Sequence, residues 1–220
     1  MPAPTPTFVP SVTLIVRLTE PLPTPTPPYL PPLVTPTGQA MLTPTCYETF
    51  NSGIVCLGAL ENTAAHPVGQ AVVRVQLLDV TGIILNEQTV TLEQRTIGVG
   101  ESAPYRALFP DSPASAFGGV QSELIGWEQQ EIMSDPPLAL ESRATPQPDG
   151  RYSISIMLQS EEAIMPLRLI VTLYDVAGRV AAYRIIETDA TDETQLRLET
   201  EVLPKVLSDD LTMIVHVEAR

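Results

Sequence analysis

The sequence predicts an all-β protein in which two tandem antiparallel β-sandwiches follow a disordered segment rich in threonine and proline. One strand–turn–strand pattern occurs twice, at 72–84 and at 168–180. Short runs with a period of two recur between turn residues, and no long stretch has helical periodicity. The 220 residues leave room for a leader and two modules, each of roughly ninety residues, which is the size of a small sandwich.

Residues 1–45 are predicted to be a Thr/Pro-rich spacer, because more than half of the 23 prolines lie there. Proline fixes φ and has no N–H to donate, which favours extended polyproline II chain. A docking site for a reader of PxxP motifs, at Pro28 to Pro32, is the alternative. Only Phe8 to Leu18 has strand character, and we expect it to be unpaired or loosely attached.

The first module is assigned to residues 46–134 and opens with two strands joined at Asn51-Ser52-Gly53. A loop at 63–70 precedes the first copy of the repeated hairpin. The last segment is predicted to be a strand rather than a helix, because every other element is β. The predicted strands are Cys46–Phe50, Ile54–Glu61, Ala71–Asp79, Ile83–Leu92, Ala103–Phe109 and Val120–Glu131.

The second module is assigned to residues 135–220, and a short, stiff linker at 134–137 forms the junction between the modules. One of its strands alternates cleanly and places Tyr152, Ile154, Ile156 and Leu158 on one face. The predicted strands are Leu138–Ala144, Arg151–Gln159, Leu167–Tyr174, Arg179–Glu187, Leu196–Val202 and Leu211–Val217.

The repeated hairpin has an aspartate and, three residues later, a glycine in both copies: Asp79 with Gly82, and Asp175 with Gly178. An aspartate at this place accepts hydrogen bonds from backbone N–H groups two residues on. Glycine adopts positive φ without a steric penalty. We therefore interpret all four as structural turn residues, with a metal-binding or catalytic carboxylate as the alternative.

Several short motifs resemble those of the FxLYD domain family. Val171-Thr172-Leu173-Tyr174-Asp175, followed by Gly178, is similar to the family's F-x-L-Y-D signature, with valine in place of phenylalanine. In the first module, Val75 to Asp79 resembles the same strand, Leu57 to Thr63 resembles the strand end G-x-V-x-N, and Gly100 to Tyr105 resembles the turn P-G-E-S-x-P-F. The second module has no clear G-E-S turn.

The resemblance implies immunoglobulin-like sandwiches in bacterial or archaeal proteins that are secreted, lipid-anchored or exposed at the cell surface. It implies no enzymatic activity. Its signature residues are structural: aspartate at the turn, asparagine at a strand end, and apolar residues facing inward.

The charge of the chain argues against two classes of partner. The formal net charge is −14, and Lys205 is the only lysine. Nucleic acid and anionic membrane surfaces are therefore not expected partners. No stretch is apolar and long enough to cross a membrane, and no signal peptide is evident. We expect an extracellular or cell-surface protein whose start is truncated or misplaced.

The residues needed for catalysis or metal binding are scarce, so we predict no catalytic residue, no metal site and no cofactor. His66 and His216 are the only histidines, and neither has the cysteine or carboxylate spacing of a zinc site. Acidic turns at Asp189, Asp192 and Glu193, and at 209–210, leave a calcium site as a weaker alternative.

Cys46 and Cys56 are predicted to form a disulfide, because a short hairpin loop between them would place them opposite each other on neighbouring strands. A disulfide fits an oxidising compartment. Two free buried thiols are the alternative.

We therefore predict a non-enzymatic, cell-surface or secreted β-sandwich protein that acts as a binding or spacer module. Its partner, a protein or a surface polymer, is unknown, and its exposed strand edges could pair with it by β-addition. The alternative is an accessory domain pair of a larger envelope or extracellular enzyme assembly. A hydrolase is a weaker alternative, because histidines are few and the nucleophile motifs are absent.

Overall fold

The fold is given by a computed structural model that describes residues 39–130, 138–206 and 210–219. Within these residues the chain forms thirteen antiparallel strands and no α-helix; Ala114–Ala116 make one turn of 3₁₀ helix. The all-β fold class is confirmed. The predictions for Phe8 to Leu18, for Pro28 to Pro32 and for the linker at 134–137 lie outside the described residues.

The first module is a sandwich of two sheets. One sheet has the strand order β1-β2-β6, and the other has the order β4-β3-β7, with the short β5 paired to β3. Its strands are β1 (Gln39–Glu48), β2 (Ile54–Asn62), β3 (Val68–Leu78), β4 (Ile84–Thr91), β5 (Thr96–Ile97), β6 (Ser102–Phe109) and β7 (Gly119–Gln129).

The core of the first module forms where the alternating apolar residues of these strands meet. Val73, Val75 and Leu77 of β3 are fully buried and pack with Leu60 of β2 and Tyr105 of β6. The intervening residues of β3 are partly exposed, as the period of two predicts. The last segment, β7, is a strand rather than a helix, as predicted.

The second module has the same strand order in its two sheets: β8-β9-β12 and β11-β10-β13. Tyr152, Ile154, Ile156 and Leu158 are all buried in its core, as the alternation predicts. The strands are β8 (Leu138–Pro146), β9 (Tyr152–Ser160), β10 (Leu167–Tyr174), β11 (Val180–Glu187), β12 (Gln195–Val202) and β13 (Thr212–Ala219).

The first strand starts earlier than the composition indicates. Gln39 to Thr45 were assigned to the spacer, but they belong to β1 and pair with β2. The ladder shifts its register between Leu42 and Thr45, and Pro44 lies at this irregularity. Proline is tolerated there because β1 is an edge strand and a shifted register does not need the missing N–H. The predicted loop at 63–70 likewise ends earlier, because β3 starts at Val68.

The described residues of both modules belong to one compact unit. Val55, Leu57 and Ala59 lie on the outer face of β2, away from the core of their own module, and pack with Tyr174 and Val180 of the second module. We call this cluster the inter-module face. Both faces of β2 and of β10 are therefore buried, and the four sheets stack with β1-β2-β6 and β11-β10-β13 in the middle.

Candidate functional site

The two turn aspartates use their carboxylates to close the hairpins. Asp79 Oδ1 accepts hydrogen bonds from the N–H of Thr81 at 2.7 Å and of Ile83 at 2.9 Å. Asp175 Oδ1 accepts from the N–H of Ala177 and of Arg179, both at 2.9 Å. The glycines that follow have φ of 85° and 74°, a region that suits glycine. Both aspartates thus have the geometry of structural turn residues.

The two turns differ in their surroundings. Asp79 is exposed, and the hydroxyl and N–H hydrogen bonds that it accepts lower its pKa. Asp175 is only 5% exposed. Burial alone would raise the pKa of Asp175, but the hydrogen bonds from Arg179 and Ala177 and the charge of Arg179 outweigh it, so the pKa is lowered. The Arg179 guanidinium is 2.7 Å from the Asp175 carboxylate. The carboxylate is thereby engaged with a cation of its own turn.

Two motifs that are far apart in the sequence meet around Asn62. This buried side chain donates from Nδ2 to the carbonyls of His66, Ile97 and Gly98, and its Oδ1 accepts from the N–H of Ala64. The backbone N–H of Asn62 donates to the Glu101 carbonyl at 2.9 Å, and its carbonyl accepts from the N–H of Gly100 at 2.8 Å. Asn62 therefore anchors the turn before β6 to the end of β2.

Cys46 and Cys56 are joined by a disulfide in the structure. They are directly opposite each other in the ladder between β1 and β2. Cys56 is fully buried and belongs to the core of the first module. The bridge therefore ties the edge strand β1 to the central strand β2.

His216 lies in a polar contact between the modules. Its Nε2 is 3.4 Å from Glu218 Oε1, and its Nδ1 is 3.7 Å from Glu101 Oε2, in the first module. Glu218 Oε1 also accepts from the backbone N–H of Arg95 at 2.6 Å. Burial alone would raise the pKa of Glu218, but the hydrogen bonds and the charge of His216 outweigh it and lower the pKa.

A second ionic contact joins the modules beside this one. Arg168 of β10 is largely buried, and its guanidinium donates to Glu93 Oε2 at 2.6 Å. Two ion pairs therefore cross the contact, Arg168 with Glu93 and His216 with Glu101, together with the hydrogen bond from the Arg95 N–H to Glu218. In chemical terms the arrangement fixes the two modules together.

The described residues include no group of three or more His, Cys, Asp or Glu side chains that could hold a metal ion. The His66 ring stacks on Trp127, with 6.1 Å between the ring centroids. Of the acidic turns, Asp192 and Glu193 lie between the bridge at Thr191 and the start of β12. None of the helices in the described part of the chain could span a membrane.

Sequence reasoning missed the inter-module face, in which the outer face of β2 packs with Tyr174 and Val180 of the second module. A signal for it was present. Ile54 to Leu60 and Leu169 to Leu173 are nearly continuous apolar runs, and such runs are typical of strands buried on both faces.

No family model matches the chain, and no curated protein matches it. Among solved structures, the exo-chitosanase CsxA of Amycolatopsis orientalis is similar with a TM-score of 0.27 and 11% identity over 82% of this chain. A complex of a CsxA variant with PNP-β-D-glucosamine gives a TM-score of 0.26 and 11% identity. The chain spans 25% of the length of these proteins.

Proposed function

We propose that this protein is a non-enzymatic β-sandwich protein of the cell surface or the extracellular space, and that it acts as a rigid binding and spacing unit. The observation that carries this proposal is the burial of both faces of β2 and β10. Apolar burial between two sheets, reinforced by ionic contacts at its side, resists bending. A pair joined in this way holds whatever it carries at a fixed distance and angle.

Two further observations support an extracellular location. The Cys46–Cys56 disulfide fits an oxidising compartment. The Thr/Pro-rich composition before β1 is typical of spacers that hold a domain away from a surface. The proposed location depends on both observations together.

We also propose that the modules are FxLYD-like and form a tandem repeat of bacterial origin. The shared strand order of the two halves supports the repeat. The equivalent turns at Asp79 and Asp175 and the anchoring role of Asn62 support the resemblance, because these motif residues all have structural contacts. Replacement of Asn62 by alanine is expected to loosen the turn at Gly100, because four hydrogen bonds of the side chain are lost. Hydrogen exchange of the Gly100 and Glu101 amides measures this; unchanged exchange would contradict it.

Protease treatment of intact source cells tests the location. A proline-tolerant protease should cut before Gln39 and release a compact fragment that contains both modules. The fragment should resist further cleavage because it is folded and because the disulfide links β1 to β2. The matched control is a cytoplasmic protein of the same cells, which must stay intact. Protection of the two modules until the cells are lysed would contradict the surface location.

Small-angle X-ray scattering of the purified chain tests the rigidity. We expect the two modules to scatter as one body of fixed shape, with a scattering curve that is unchanged between low and physiological salt. A distribution of inter-module distances would contradict the rigid spacing, and it would do so whatever the location of the protein.

A further inference from the structure

The outer edge of β13 is open in the part of the chain that the structure describes. β13 pairs with β10 on one side and with no described strand on the other. Its core-facing residues Met213, Val215 and Val217 are only partly buried, although their direct partners on β10 are fully buried. Leu140 of β8, the strand of the other sheet that approaches β13, is 37% exposed. The core of the second module is therefore incompletely covered along this edge.

The other described edge strands are covered or have features that discourage pairing. β4 and β6 meet where Gln88 accepts the Leu108 N–H, and β11 is covered where the Ala181 carbonyl accepts the Lys205 N–H. Proline lies in β1, β6 and β8, the register of β7 is shifted at two places, and β12 has charged side chains at 197, 199 and 201. The eight residues of β13 include no proline and no lysine.

The two ionisable residues of β13 do not protect its edge, because both are engaged by the first module. Glu218 Oε1 accepts the Arg95 N–H, and His216 lies 3.7 Å from the Glu101 carboxylate. An apolar edge without such protection is a template for one more strand.

The core-facing side of β13 is complementary to a second copy of itself. Two antiparallel copies can be related by a twofold axis that is perpendicular to the sheet and passes through Val215. Val215 then lies opposite Val215 of the second copy, and Met213 lies opposite Val217 of the second copy. The row of apolar residues therefore continues from the core of one second module into the core of the other.

The outer side of β13 is compatible with the same register. Ile214 lies opposite His216 of the second copy, and Thr212 lies opposite Glu218 of the second copy, so no two like charges oppose each other. An axis through His216 would instead place this histidine opposite its own copy and Glu218 opposite Ile214. The register centred on Val215 keeps residues 212–218 paired and avoids both contacts.

This pairing also accounts for two exposed apolar side chains. Ile214 is 49% exposed and Val99 is 58% exposed. Val99 belongs to the turn that contains Glu101, and the Glu101 carboxylate lies beside His216. Because Ile214 of the second copy lies opposite His216, it comes next to the turn that carries Val99. The pairing thus brings together two apolar side chains that a single chain leaves in solvent.

The size of the edge sets the strength of the association. A strand of eight residues is roughly 26 Å long, and a two-sheet sandwich with its side chains is roughly 20 Å thick. The contact therefore buries roughly 500 Å² on each partner, less than the roughly 800 Å² that is typical of stable complexes. We expect a dissociation constant in the micromolar range.

We propose that two copies of this chain associate through the free edges of β13, antiparallel and with a twofold axis through Val215. The two sheets β11-β10-β13 then form one continuous sheet. The outward N–H and C=O groups of each β13 are satisfied by the other copy, and the uncovered side of each core is closed.

Sedimentation equilibrium of the full chain, from about 1 to 200 µM to span a micromolar constant, tests the proposal. The test variant is Val215→Lys, which places two ammonium groups where the copies meet. A lysine is tolerated at an edge because its ammonium can reach water past the strand. The matched control is Ile125→Lys in β7, where the natural side chain is 40% exposed. Circular dichroism verifies the fold of both variants.

Cysteine cross-linking tests the register independently of the lysine variant. Both natural cysteines are joined in the disulfide, so an introduced cysteine is the one free thiol. In Val215→Cys the two Cα atoms would be about 5 Å apart, which suits a disulfide. In Ile214→Cys, the matched control on the same strand, they would be roughly 8 Å apart, which is too far.

We expect the mass of the natural sequence and of Ile125→Lys to rise from one chain to two with concentration, and Val215→Lys to stay at one chain. Val215→Cys should form the cross-linked dimer at least about tenfold faster than Ile214→Cys.

Three results would overturn the proposal. A one-chain mass of the natural sequence at every concentration would show that the edge does not pair with a second copy. Undiminished dimerisation of Val215→Lys would place the contact elsewhere on the surface. Equal cross-linking rates of the two cysteine variants would refute the register, and this comparison decides the matter if Val215→Lys does not fold.

Discussion

Replacement of Leu57 by alanine tests whether the inter-module face is buried in solution. Leu57 is 5% exposed, yet it points away from the core of its own module. If the two modules were independent, this side chain would lie on a solvated sheet surface. Its contribution to stability therefore depends on the presence of the second module.

The magnitude follows from this difference in burial. Truncation of a buried leucine to alanine costs about 2–5 kcal/mol, because transfer free energy is lost and a cavity remains. A substitution on a solvated surface changes stability by about 0.5 kcal/mol or less. We expect a loss of about 2–3 kcal/mol for Leu57→Ala, the lower part of the range, because side chains at a contact between two sheets can partly collapse into the space.

Leu108→Ala is the matched control. Leu108 pairs with Val55 in the ladder between β2 and β6, so it lies on the same outer face of the same sheet. It is 44% exposed and is not part of the inter-module face. The same chemical change there should cost less than about 1 kcal/mol, because much of the side chain is already in water.

Urea unfolding provides the assay, with two probes. Trp127 is the only tryptophan and lies in β7, so its fluorescence reports the first module. Far-ultraviolet circular dichroism reports the strands of both modules. For a coupled pair the two transitions coincide. A slope of about 2 kcal/mol/M converts the expected loss of about 2–3 kcal/mol into a midpoint shift of about 1–1.5 M. Equal costs for the two leucines, or two separate transitions, would refute the burial of this face.

Three further predictions follow from local geometry. Gly58→Ala should lower stability by about 1–3 kcal/mol and reduce the melting temperature, because a Cβ at this position would be 2.4 Å from the Tyr105 ring; an unchanged melting temperature would contradict this. Reduction of the disulfide should lower the free energy of unfolding by roughly 2–3 kcal/mol on the loop-entropy estimate; the control is the double cysteine-to-serine variant, which reductant must leave unaffected. The pKa of Asp175 is lowered in the folded state, so its contribution to stability is present above the unfolded pKa and is lost as the pH falls through the folded value. Asp175→Asn should therefore weaken the loss of unfolding free energy on acidification, which urea unfolding at a series of pH values measures. If the variant and the natural sequence lose stability in parallel as the pH falls, Arg179 does not stabilise the ionised Asp175 carboxylate.

The hairpins and cores could be predicted because their signals are local. The aspartate and glycine of each turn are three residues apart, and the alternation of β9 follows from neighbouring residues alone. The disulfide could be anticipated for the same reason, since a short loop fixes the register between Cys46 and Cys56.

The contacts between distant parts of the chain could not be predicted in the same way. The hydrogen bonds of Asn62 reach residues 97 and 98, and nothing in the spacing of the two motifs indicates that they meet. The apolar run at Ile54 to Leu60 indicates burial on both faces, but it does not name the partner sheet. The burial of Arg168 could not be predicted either. A charged residue in an apolar strand is expected to face solvent, and only the ion pair with Glu93 explains why this side chain is largely buried.

The inter-module face has a consequence for how the chain can be divided or inherited. Either half, produced alone, would expose a sheet with an apolar outer surface. We expect such a fragment to self-associate. A gene rearrangement that moved one half into another protein would need polar replacements at Val55, Leu57 and Ala59, or at Tyr174 and Val180, before the product could remain dispersed. The pair, rather than the single sandwich, is therefore the smallest segment that we expect to be shuffled, truncated or grafted intact.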